Sequence, residues 1–499
     1  MNGYPRHAEL REGRLAVISE TEELTYGELH HRASRLARVL AGAGVVAGDR
    51  VGIMLPNSIE FIEALAATAK LEAASLTLNW HLRPNELAWI VADSGVRVLI
   101  THADIAETVT EAVADLDVTT IWVGGDYEDL LAGADPEPLP YLWPSSWPVI
   151  YTSGTSGRPK GVVHGTAASA EVMEMAQEAI ATMWGYRPTD IHLVAGPLYH
   201  GGPQGYCNTT LFVGGTLVLM DSWDPREFLR LVETHRVTTT FLTPAHFIRI
   251  LEIPPAERKR FDTSSLRHVL HAGAPCPRNV KLAIMDAMPT AEVWEFYGMS
   301  EGGATRVSPQ EWRERPGTVG RPWPGVQIDV RTTDGDLLPT GADGVIYVTP
   351  ARGRFHYHND ETKTAEAWRD NAFTVGDVGH LDADGYLYIT DRLTDMVIRS
   401  GVNIYPRVIE EALHRHPAVV DCAVFGVPDD RDGEAIVAVV EVRAEVSDDE
   451  LTAWCVEQVG SFSTPASFTL VDALPRDPNG KLLKRHLRDE AWAAAGRSV

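Results

Sequence analysis

Helix and strand patterns alternate along the first half of the chain, and this alternation limits the folds open to it. Residues 24–44, LTYGELHHRASRLARVLAGAG, begin with a capping-box pair, Thr25 and Glu28, and continue with apolar residues at helical spacing. DRVGIML then has the pattern of a buried strand, and similar helix–strand units recur up to TTTFLT at residues 238–243. Parallel strands need helical crossovers, so the alternation predicts an α/β fold of mostly parallel sheets flanked by helices.

The pattern changes after about residue 320. Residues 325–349 contain short alternating strands, and dipeptides such as Asp343-Gly344 indicate turns. GHLDADGYLYITDR has the pattern of a hairpin with Asp384-Gly385 at its turn. These features predict a small β-subdomain after the parallel sheets.

Mixed α/β patterns return beyond Arg392. YPRVIEEALHRHPAV has the pattern of a helix, and VVDCAVFGVPD and AIVAVVEV have that of strands. A chain of 499 residues is also too long for one ordinary hydrophobic core. We therefore predict a large N-terminal domain at residues 1–392 and a small α/β C-terminal domain at residues 393–499.

Charge and cysteine content exclude several classes of protein. The 44 basic and 69 acidic residues give a net charge of −25, which disfavours nucleic acid and anionic membranes as general partners. The four cysteines form no C-x-x-C pair, which argues against a zinc knuckle or a disulfide framework. The N-terminus is polar, and no apolar run of about 18 residues predicts a membrane span. These features favour a cytoplasmic enzyme with small-molecule partners and leave monomer and homodimer open.

A loop rich in hydroxyl groups, YTSGTSGRPKGVVH at residues 151–164, has the composition of a phosphate-binding element. Its glycines let backbone N–H groups approach an anion, its hydroxyl groups donate hydrogen bonds, and its lysine adds a positive charge. The spacing differs from G-x-x-x-x-G-K-[ST], so the loop is not a P-loop. A mobile surface loop is the alternative, but two apolar runs flank this one. The candidate phosphate-binding residues are Thr152, Ser153, Gly154, Thr155, Ser156, Gly157 and Lys160.

This loop resembles the phosphate-binding signature of the adenylate-forming superfamily, which includes acyl-CoA synthetases, luciferases and the adenylation domains of peptide synthetases. Five further segments resemble signatures of that family and follow in the same order. They are LHAGAPCP (270–277), WEFYGMSEGG (294–303), FTVGDVGHLDADGYLYITDR (373–392), SGVNIYPRVIEEAL (400–413) and LPRDPNGKLLKR (474–485). The resemblance implies ATP-dependent activation of a carboxylic acid to an acyl-adenylate with release of pyrophosphate.

The resemblance also implies a nucleotide site. The residues expected around adenine and AMP are Gly273, Ala274, Pro275, Glu295, Phe296, Tyr297, Gly298 and Ser300. Tyr297 can stack on a purine, and Ser300 supplies a hydroxyl group where the family usually has threonine. Asp377 and Arg392 can bind the ribose diol as acceptor and donor. Glu301 is a hard oxygen ligand suited to Mg²⁺ beside phosphates.

Lys481 is the expected catalytic lysine, because the resemblance places it at the carboxylate and the α-phosphate, where its cation stabilises developing negative charge. On composition alone it would be one of several surface cations. The family rotates its small domain between two half-reactions, and the pivot position here is Thr394, where lysine or aspartate is expected. His200 resembles the gating residue beside the acyl pocket, although a hydrogen-bonded core histidine is the alternative.

The acyl and acceptor pocket is expected from Gly201, Gly202, Tyr206, Phe241, Met299, Gly302 and Gly401. Its mixture of aromatic and small residues favours a hydrophobic or aromatic acid. CoA is the favoured acceptor, but Ser463 and Val408 replace the basic residue and the glutamate that CoA-dependent relatives often have. An amide bond synthetase that uses an amine without CoA is the alternative, and loading of a separate carrier protein is a third possibility.

Overall fold

The computed structural model describes residues 4–140, 148–152, 159–165, 169–351, 353–429, 431–477 and 480–494. Within these ranges the strands up to residue 242 are β1 (Leu15–Ile18), β2 (Glu23–Thr25), β3 (Arg50–Met54), β4 (Ala74–Thr77), β5 (Val98–His102), β6 (Thr119–Val123), β7 (Val149–Thr152), β8 (Lys160–His164), β9 (Ile191–Val194), β10 (Thr216–Leu219) and β11 (Thr239–Leu242). The later strands are β12 (His268–His271), β13 (Glu292–Met299), β14 (Gly302–Val307), β15 (Arg321–Pro322), β16 (Gln327–Arg331), β17 (Gly344–Thr349), β18 (Phe355–Tyr357), β19 (Trp368–Arg369), β20 (Ala372–Phe373), β21 (Asp377–Leu381), β22 (Leu387–Arg392), β23 (Val397–Arg399), β24 (Val402–Ile404), β25 (Val419–Asp429), β26 (Gly433–Val442) and β27 (Ser467–Val471).

The helices in the described ranges connect these strands. They are α1 (Tyr4–Leu10), α2 (Tyr26–Gly42), α3 (Ile59–Lys70), α4 (Pro84–Ser94), α5 (Ala106–Val113), α6 (Tyr127–Gly133), α7 (Ala170–Met183), α8 (Gly201–Val213), α9 (Pro225–His235), α10 (Pro244–Glu252), α11 (Pro255–Arg258), α12 (Arg278–Ala287), α13 (Pro309–Glu314), α14 (Glu361–Ala367), α15 (Pro406–Leu413), α16 (Asp448–Val459) and α17 (Lys484–Ala494). Two 3₁₀ turns lie at Ala103–Ile105 and Ser461–Ser463. No helix among the described residues is long and apolar enough to cross a membrane.

Two large sheets confirm the predicted α/β architecture. The first has the order β15-β14-β13-β12-β11-β9-β10-β1-β2, and its central pairs from β13 to β1 are parallel. The second has the order β18-β8-β7-β4-β3-β5-β6 and is parallel from β7 to β6. Helices pack on these sheets because their apolar faces need burial. For example, α2 buries Leu29, Leu36 and Leu40.

Local capping signals behave as the sequence predicts. The Glu28 backbone N–H donates to the Thr25 hydroxyl at 3.2 Å, and the Thr25 N–H donates to the Glu28 carboxylate at 2.8 Å. This reciprocal pair satisfies two donors that the first turn of α2 leaves free. The predicted capping box is therefore confirmed.

The third sheet forms the β-subdomain, with the order β19-β20-β17-β21-β22 and β16 paired to β17. Gly385 has φ +81° in the turn between β21 and β22, as predicted. The turn predicted at Asp343-Gly344 is wrong, because Gly344 is the first residue of β17 and pairs with Gly379. A Cβ at Gly344 would lie 2.5 Å from the Arg331 carbonyl oxygen, so close strand packing accounts for glycine here.

The fourth sheet, of order β24-β23-β26-β25 with β27 parallel to β26, contains the strands that follow Arg392. Helices α15 and α16 cover it and share a core around Ile409, Leu413, Val424 and Leu451. This arrangement agrees with the predicted α/β character of the C-terminal region.

All four cysteines are buried and unpaired: Cys207, Cys276, Cys422 and Cys455. Burial raises the pKa of each of these thiols, because a thiolate is poorly solvated inside the protein. The sequence-based exclusion of a disulfide framework is consistent with these positions.

Candidate active site

The candidate phosphate loop joins two antiparallel strands of the second sheet. Thr152 at the end of β7 pairs with Lys160 at the start of β8, so the hairpin brings the two ends of the loop together. Ser153, Gly154, Thr155, Ser156 and Gly157 lie outside the described residues. Thr152 and Lys160 therefore mark where the loop leaves and rejoins the sheet.

Lys160 meets Glu301, the predicted metal ligand, although the two residues are far apart in the sequence. The Lys160 Nζ atom lies 3.4 Å from Glu301 Oε1 and 3.9 Å from the centroid of the Tyr357 ring. The Tyr357 hydroxyl donates to the same carboxylate oxygen at 2.7 Å. Burial lowers the pKa of Lys160, and the nearby Glu301 carboxylate acts in the opposite direction. Tyr357 carried no signal in the sequence, because no spacing relates β18 to residue 301.

The Glu301 site fits a magnesium ion that also binds substrate phosphates. Mg²⁺ is commonly held by one or two carboxylates together with phosphate oxygens and water, so a single buried carboxylate suffices. Among the described residues, no group of three or more His, Cys, Asp or Glu side chains forms a complete metal site. Such an ion would therefore depend on ATP for most of its ligands.

Ser300 belongs to the turn between β13 and β14, and a histidine holds its backbone. His164, at the end of β8, donates from Nε2 to the Ser300 carbonyl oxygen at 2.8 Å. The phosphate-loop hairpin and the turn carrying Ser300 and Glu301 are thus joined directly. His164 was not predicted as a site residue.

The predicted ribose-binding residues lie together with the predicted adenine-stacking tyrosine. Asp377 is buried, and its two carboxylate oxygens accept from Arg392 Nε at 2.9 Å and from the Tyr297 hydroxyl at 2.5 Å. Burial and the Asp377 charge raise the pKa of Tyr297. The Asp377 charge raises the pKa of Arg392, so both donors keep their protons. The β21–β22 pairing positions this cluster, since Asp377 and Arg392 are opposite residues.

The side chains of Glu295 and Phe296, two further predicted nucleotide-binding residues on β13, point in different directions. The Glu295 carboxylate accepts from Lys281 Nζ at 2.5 Å inside the core. Phe296 packs with Tyr206 and Phe241, at centroid distances of 5.9 and 6.1 Å. Alternation along a strand separates Phe296 from Tyr297, since successive side chains point to opposite faces.

Gly298 allows β13 and β14 to approach closely, because a Cβ there would lie 3.3 Å from the Cα of Gly303. Gly273 has φ +89°, a conformation that favours glycine. Ala274 and Pro275, which follow it, line a cavity of about 240 Å³. This cavity lies between the part of the chain up to Arg392, called the large region below, and the part that follows it, called the C-terminal region.

The predicted acyl pocket lies in an aromatic cluster between α7, α8 and the first sheet. Its buried members are Trp184, Tyr186, Tyr206, Phe212 and Phe241, with Trp294, Phe296 and Trp323 against them. Gly202 faces this cluster, where a Cβ would lie 2.8 Å from the Phe241 ring. Met299 and Gly302 instead contact the β-subdomain core, Gly302 beside Phe373. Gly201 faces the side chain of Ile150, 3.1 Å from the position of a Cβ.

His200 precedes α8 and lies near the C-terminal region. Its Nε2 atom is buried and has no hydrogen-bond partner among the described residues. Burial lowers the pKa of His200; the Asp477 charge acts against this effect, and the Lys481 charge reinforces it. Burial and the Lys481 charge both favour a neutral imidazole at His200.

Lys481 stands on a short turn of the C-terminal region that reaches the large region. Its backbone N–H donates to Asp477 Oδ1 at 2.8 Å, and Arg476 Nη1 donates to the Gly480 carbonyl at 2.6 Å. The side chain keeps contact with solvent, but surrounding protein partly desolvates it. This desolvation and the neighbouring Arg392 charge lower the pKa of Lys481, while Asp477 and Asp377 oppose the shift. Asn479, beside this turn, is outside the described residues.

The predicted pivot and the predicted acceptor-channel glycine belong to other segments of the chain than this turn. The Thr394 carbonyl accepts from Arg488 Nη1 of α17 at 2.8 Å, a contact with no sequence signal. Gly401 has φ +78° in the turn between β23 and β24, and a Cβ there would have nothing within 4 Å. The Arg392 and Asp377 charges thus act on Lys481, and Thr394 follows the predicted ribose arginine by two residues.

Comparisons with known proteins agree with this geometry. Residues 4–352 match the family model described as AMP-binding enzyme, and residues 408–481 match the AMP-binding enzyme C-terminal domain. The fatty acid–acyl-carrier-protein ligase ScoC of Streptomyces coeruleorubidus is 34% identical, over 99% of this chain and 96% of its own length. A feruloyl-CoA synthase of an Amycolatopsis species is 36% identical, over 97% of both chains.

Among solved structures, the amide bond synthetase McbA from Marinactinospora thermotolerans superposes with a TM-score of 0.86, at 30% identity, over 97% of this chain and 98% of its own. The chain therefore belongs to the family of AMP-binding enzymes. It is an ATP-dependent, AMP-forming ligase that activates a carboxylic acid as an acyl-adenylate.

Proposed function

We propose that this enzyme activates a hydrophobic or aromatic carboxylic acid and passes the acyl group to the thiol of CoA. In the first half-reaction a carboxylate oxygen attacks the α-phosphorus of ATP, and pyrophosphate leaves. In the second, the thiol attacks the acyl carbon, loses its proton, and AMP leaves. The proposed division lies after Arg392, so the small domain at 393–499 supplies Lys481 to a site on the large domain.

The observation that carries this proposal is the position of Lys481. Burial and the Arg392 charge lower the pKa of Lys481 and the Asp377 charge opposes that shift, while the Lys481 charge in turn adds to the effect of burial in lowering the pKa of His200. A lysine at this point stabilises the charge that builds on the carboxylate and α-phosphate oxygens during attack. Asp377 and Arg392 would orient the ribose, Tyr297 the adenine, and Thr152 and Lys160 the outgoing pyrophosphate.

Magnesium is part of the proposal, with Glu301 as its protein ligand. The ion would neutralise phosphate charge as ATP binds. Lys160 and Tyr357 hold the Glu301 carboxylate in place through the contacts described above. Because one oxygen receives both contacts, the second carboxylate oxygen is the one we assign to the ion.

The aromatic cluster supports the choice of acid. Tyr206, on α8, stacks on Phe241 and meets Phe296 edge to face, and the Phe241 and Phe296 rings are tilted against each other. An apolar acyl group buried there would gain about 25 cal/mol for each Å² removed from water.

A test uses ATP, Mg²⁺ and a panel of benzoic, cinnamic, octanoic and dodecanoic acids. We expect acid-dependent release of pyrophosphate, and release of AMP once CoA is added, both lost in Lys481→Ala. Lys259→Ala is the matched control, because Lys259 is an exposed lysine of the large region. Acid activation that persists undiminished in Lys481→Ala would refute the assigned role.

An amine is the second candidate acceptor, and the region around Ser463 favours it. The nearby Arg399 is already occupied, since its Nε lies 3.1 Å from Asp432 Oδ2 and its Nη1 donates to the Phe462 carbonyl at 2.8 Å. A CoA phosphate would therefore find no basic residue at position 463 and a paired arginine beside it. The likeness to an amide bond synthetase points the same way.

Product mass spectrometry separates the acceptors. Acyl-CoA formed at high turnover supports the thioester proposal, and amide formed in the absence of CoA supports the amine. AMP release that requires an added carrier protein would identify that protein as the acceptor. The likeness to ScoC, a fatty acid–acyl-carrier-protein ligase, is the reason to include it in the test.

A further inference from the structure

A bidentate ion pair joins the large region to the strand next to the Lys481 turn. Arg249, on α10, donates from Nη1 to Glu441 Oε1 at 2.6 Å and from Nη2 to Oε2 at 3.2 Å. Glu441, on β26, has a side chain only 4% exposed, whereas Arg249 also reaches Glu252 at 2.8 Å. The pair therefore crosses between the two regions with one partner almost fully buried.

Glu441 also holds the chain that leads to the catalytic lysine. Its Oε2 accepts from the Leu474 backbone N–H at 3.0 Å, a short way before Lys481 in the sequence. The same carboxylate thus fixes the start of the Lys481 segment and meets an arginine of the large region.

The end of this segment nearest Lys481 is held by a residue of β25 that lies directly opposite Glu441 of β26. Asp421, on β25, pairs in register with Glu441 and forms an ion pair with Arg476, which donates to the Gly480 carbonyl at 2.6 Å. Opposing residues of an antiparallel pair present their side chains on one face. Glu441 therefore holds this segment at Leu474, and the neighbouring Asp421 holds it through Arg476, which contacts Gly480. Glu441 is the carboxylate that also pairs with Arg249 of the large region.

We propose that Arg249 and Glu441 are positioning residues that hold Lys481 in the correct place relative to the adenylation site. The inference rests on the proposed role of Lys481 and concerns the first half-reaction alone. A bidentate arginine–carboxylate pair fixes orientation as well as distance, which a point charge would not do. If the small domain rotates for acyl transfer, this pair has to open, so the second half-reaction does not depend on it.

The test measures the half-reactions separately in the full-length protein. Glu441→Gln keeps an oxygen for the Leu474 N–H but removes the charge that binds Arg249. We expect the rate of acyl-adenylate formation to fall about ten- to hundredfold. This rate is measured in a quenched single-turnover experiment with the acid of the panel that reacts fastest. Transfer from synthetic acyl-adenylate to CoA is expected to stay within about twofold of the wild type, because an interaction that is absent from a transition state cannot stabilise it.

Arg249→Met serves as the second variant, and the double variant should lose no more than the worse single one, because both changes remove one interaction. Arg236→Met is the matched control, since Arg236 lies 2.6 Å from Asp262 but both residues are exposed and on the large region. Unchanged adenylation in both single variants would overturn the inference, as would equal losses in both half-reactions, which indicate a folding defect. Lys481→Ala measured in parallel identifies a failure of the proposed function instead.

Discussion

Replacing Gly480 by alanine should displace Lys481, the proposed catalytic lysine, without disturbing the rest of the enzyme. Gly480 has φ +79°, and a Cβ there would lie 2.8 Å from the Cβ of Ala245 and 3.3 Å from the Thr243 hydroxyl oxygen. Ordinary carbon–carbon contact needs about 3.5–4.0 Å, so the turn and α10 must separate by about 1 Å. Lys481 follows directly and moves with the turn.

The size of the effect follows from this displacement. A shift of about 1 Å in a catalytic group can cost about a hundredfold in rate. The left-handed backbone adds about 1–2 kcal/mol of strain for alanine. We therefore expect Gly480→Ala to lower acyl-adenylate formation about a hundredfold while ATP affinity changes little.

The control isolates displacement from backbone strain. Gly385 has φ +81° in the hairpin turn of the β-subdomain, and a Cβ there would meet nothing within 4 Å. Gly385→Ala carries the same strain but should leave adenylation unchanged. Single-turnover adenylate formation and ATP titration measure the two quantities. Adenylation in Gly480→Ala within about threefold of the Gly385→Ala value would contradict this reasoning.

Three further predictions concern buried polar groups. Lys281→Met should lower the unfolding free energy by about 3–5 kcal/mol, because it leaves Glu295 buried without its partner, and adding Glu295→Gln should recover most of the loss. Thermal unfolding measures both variants, and no recovery in the double variant would contradict the ion-pair explanation. Burial lowers the pKa of His246 to about 3, below its unfolded value, so stability falls as the pH drops below about 6.5. His246→Gln should reduce the loss of unfolding free energy between pH 7 and pH 5 by about 2 kcal/mol in urea titrations, and an unchanged loss would count against a neutral buried imidazole. Tyr357→Phe removes a hydrogen bond from Glu301 and should raise the Mg²⁺ concentration needed for half-maximal AMP release, whereas an unmoved midpoint would separate Tyr357 from metal binding.

Local sequence signals predicted much of this fold because they depend on neighbouring residues. The Thr25–Glu28 capping box needs only a spacing of three, and the Asp384-Gly385 turn needs only a tight connection between two strands. The Asp343-Gly344 prediction failed because the same dipeptide also suits a place where two backbones approach closely. That distinction depends on Arg331, which only the folded sheet brings near.

The motifs predict which residues belong to the site, but not how they are held. The Arg392 and Asp377 charges act on Lys481 in the folded protein, while the roles of these residues toward the nucleotide stay predictions. Tyr357 and His164 contact the turn that carries Ser300 and Glu301, yet neither lies at a fixed spacing from it. Contacts of this kind join strands from distant parts of the chain, so periodicity and composition contain no information about them.

The burial of all four cysteines has a practical consequence for an enzyme that makes an electrophile. An acyl-adenylate reacts with thiolates, but these sulfur atoms are inside the protein and held as thiols. The enzyme therefore offers its own product no competing sulfur nucleophile. The same property gives a native background on which introduced surface cysteines can be labelled selectively, so a pair of dyes, one on α16 and one on α12, would report how the two regions move during turnover.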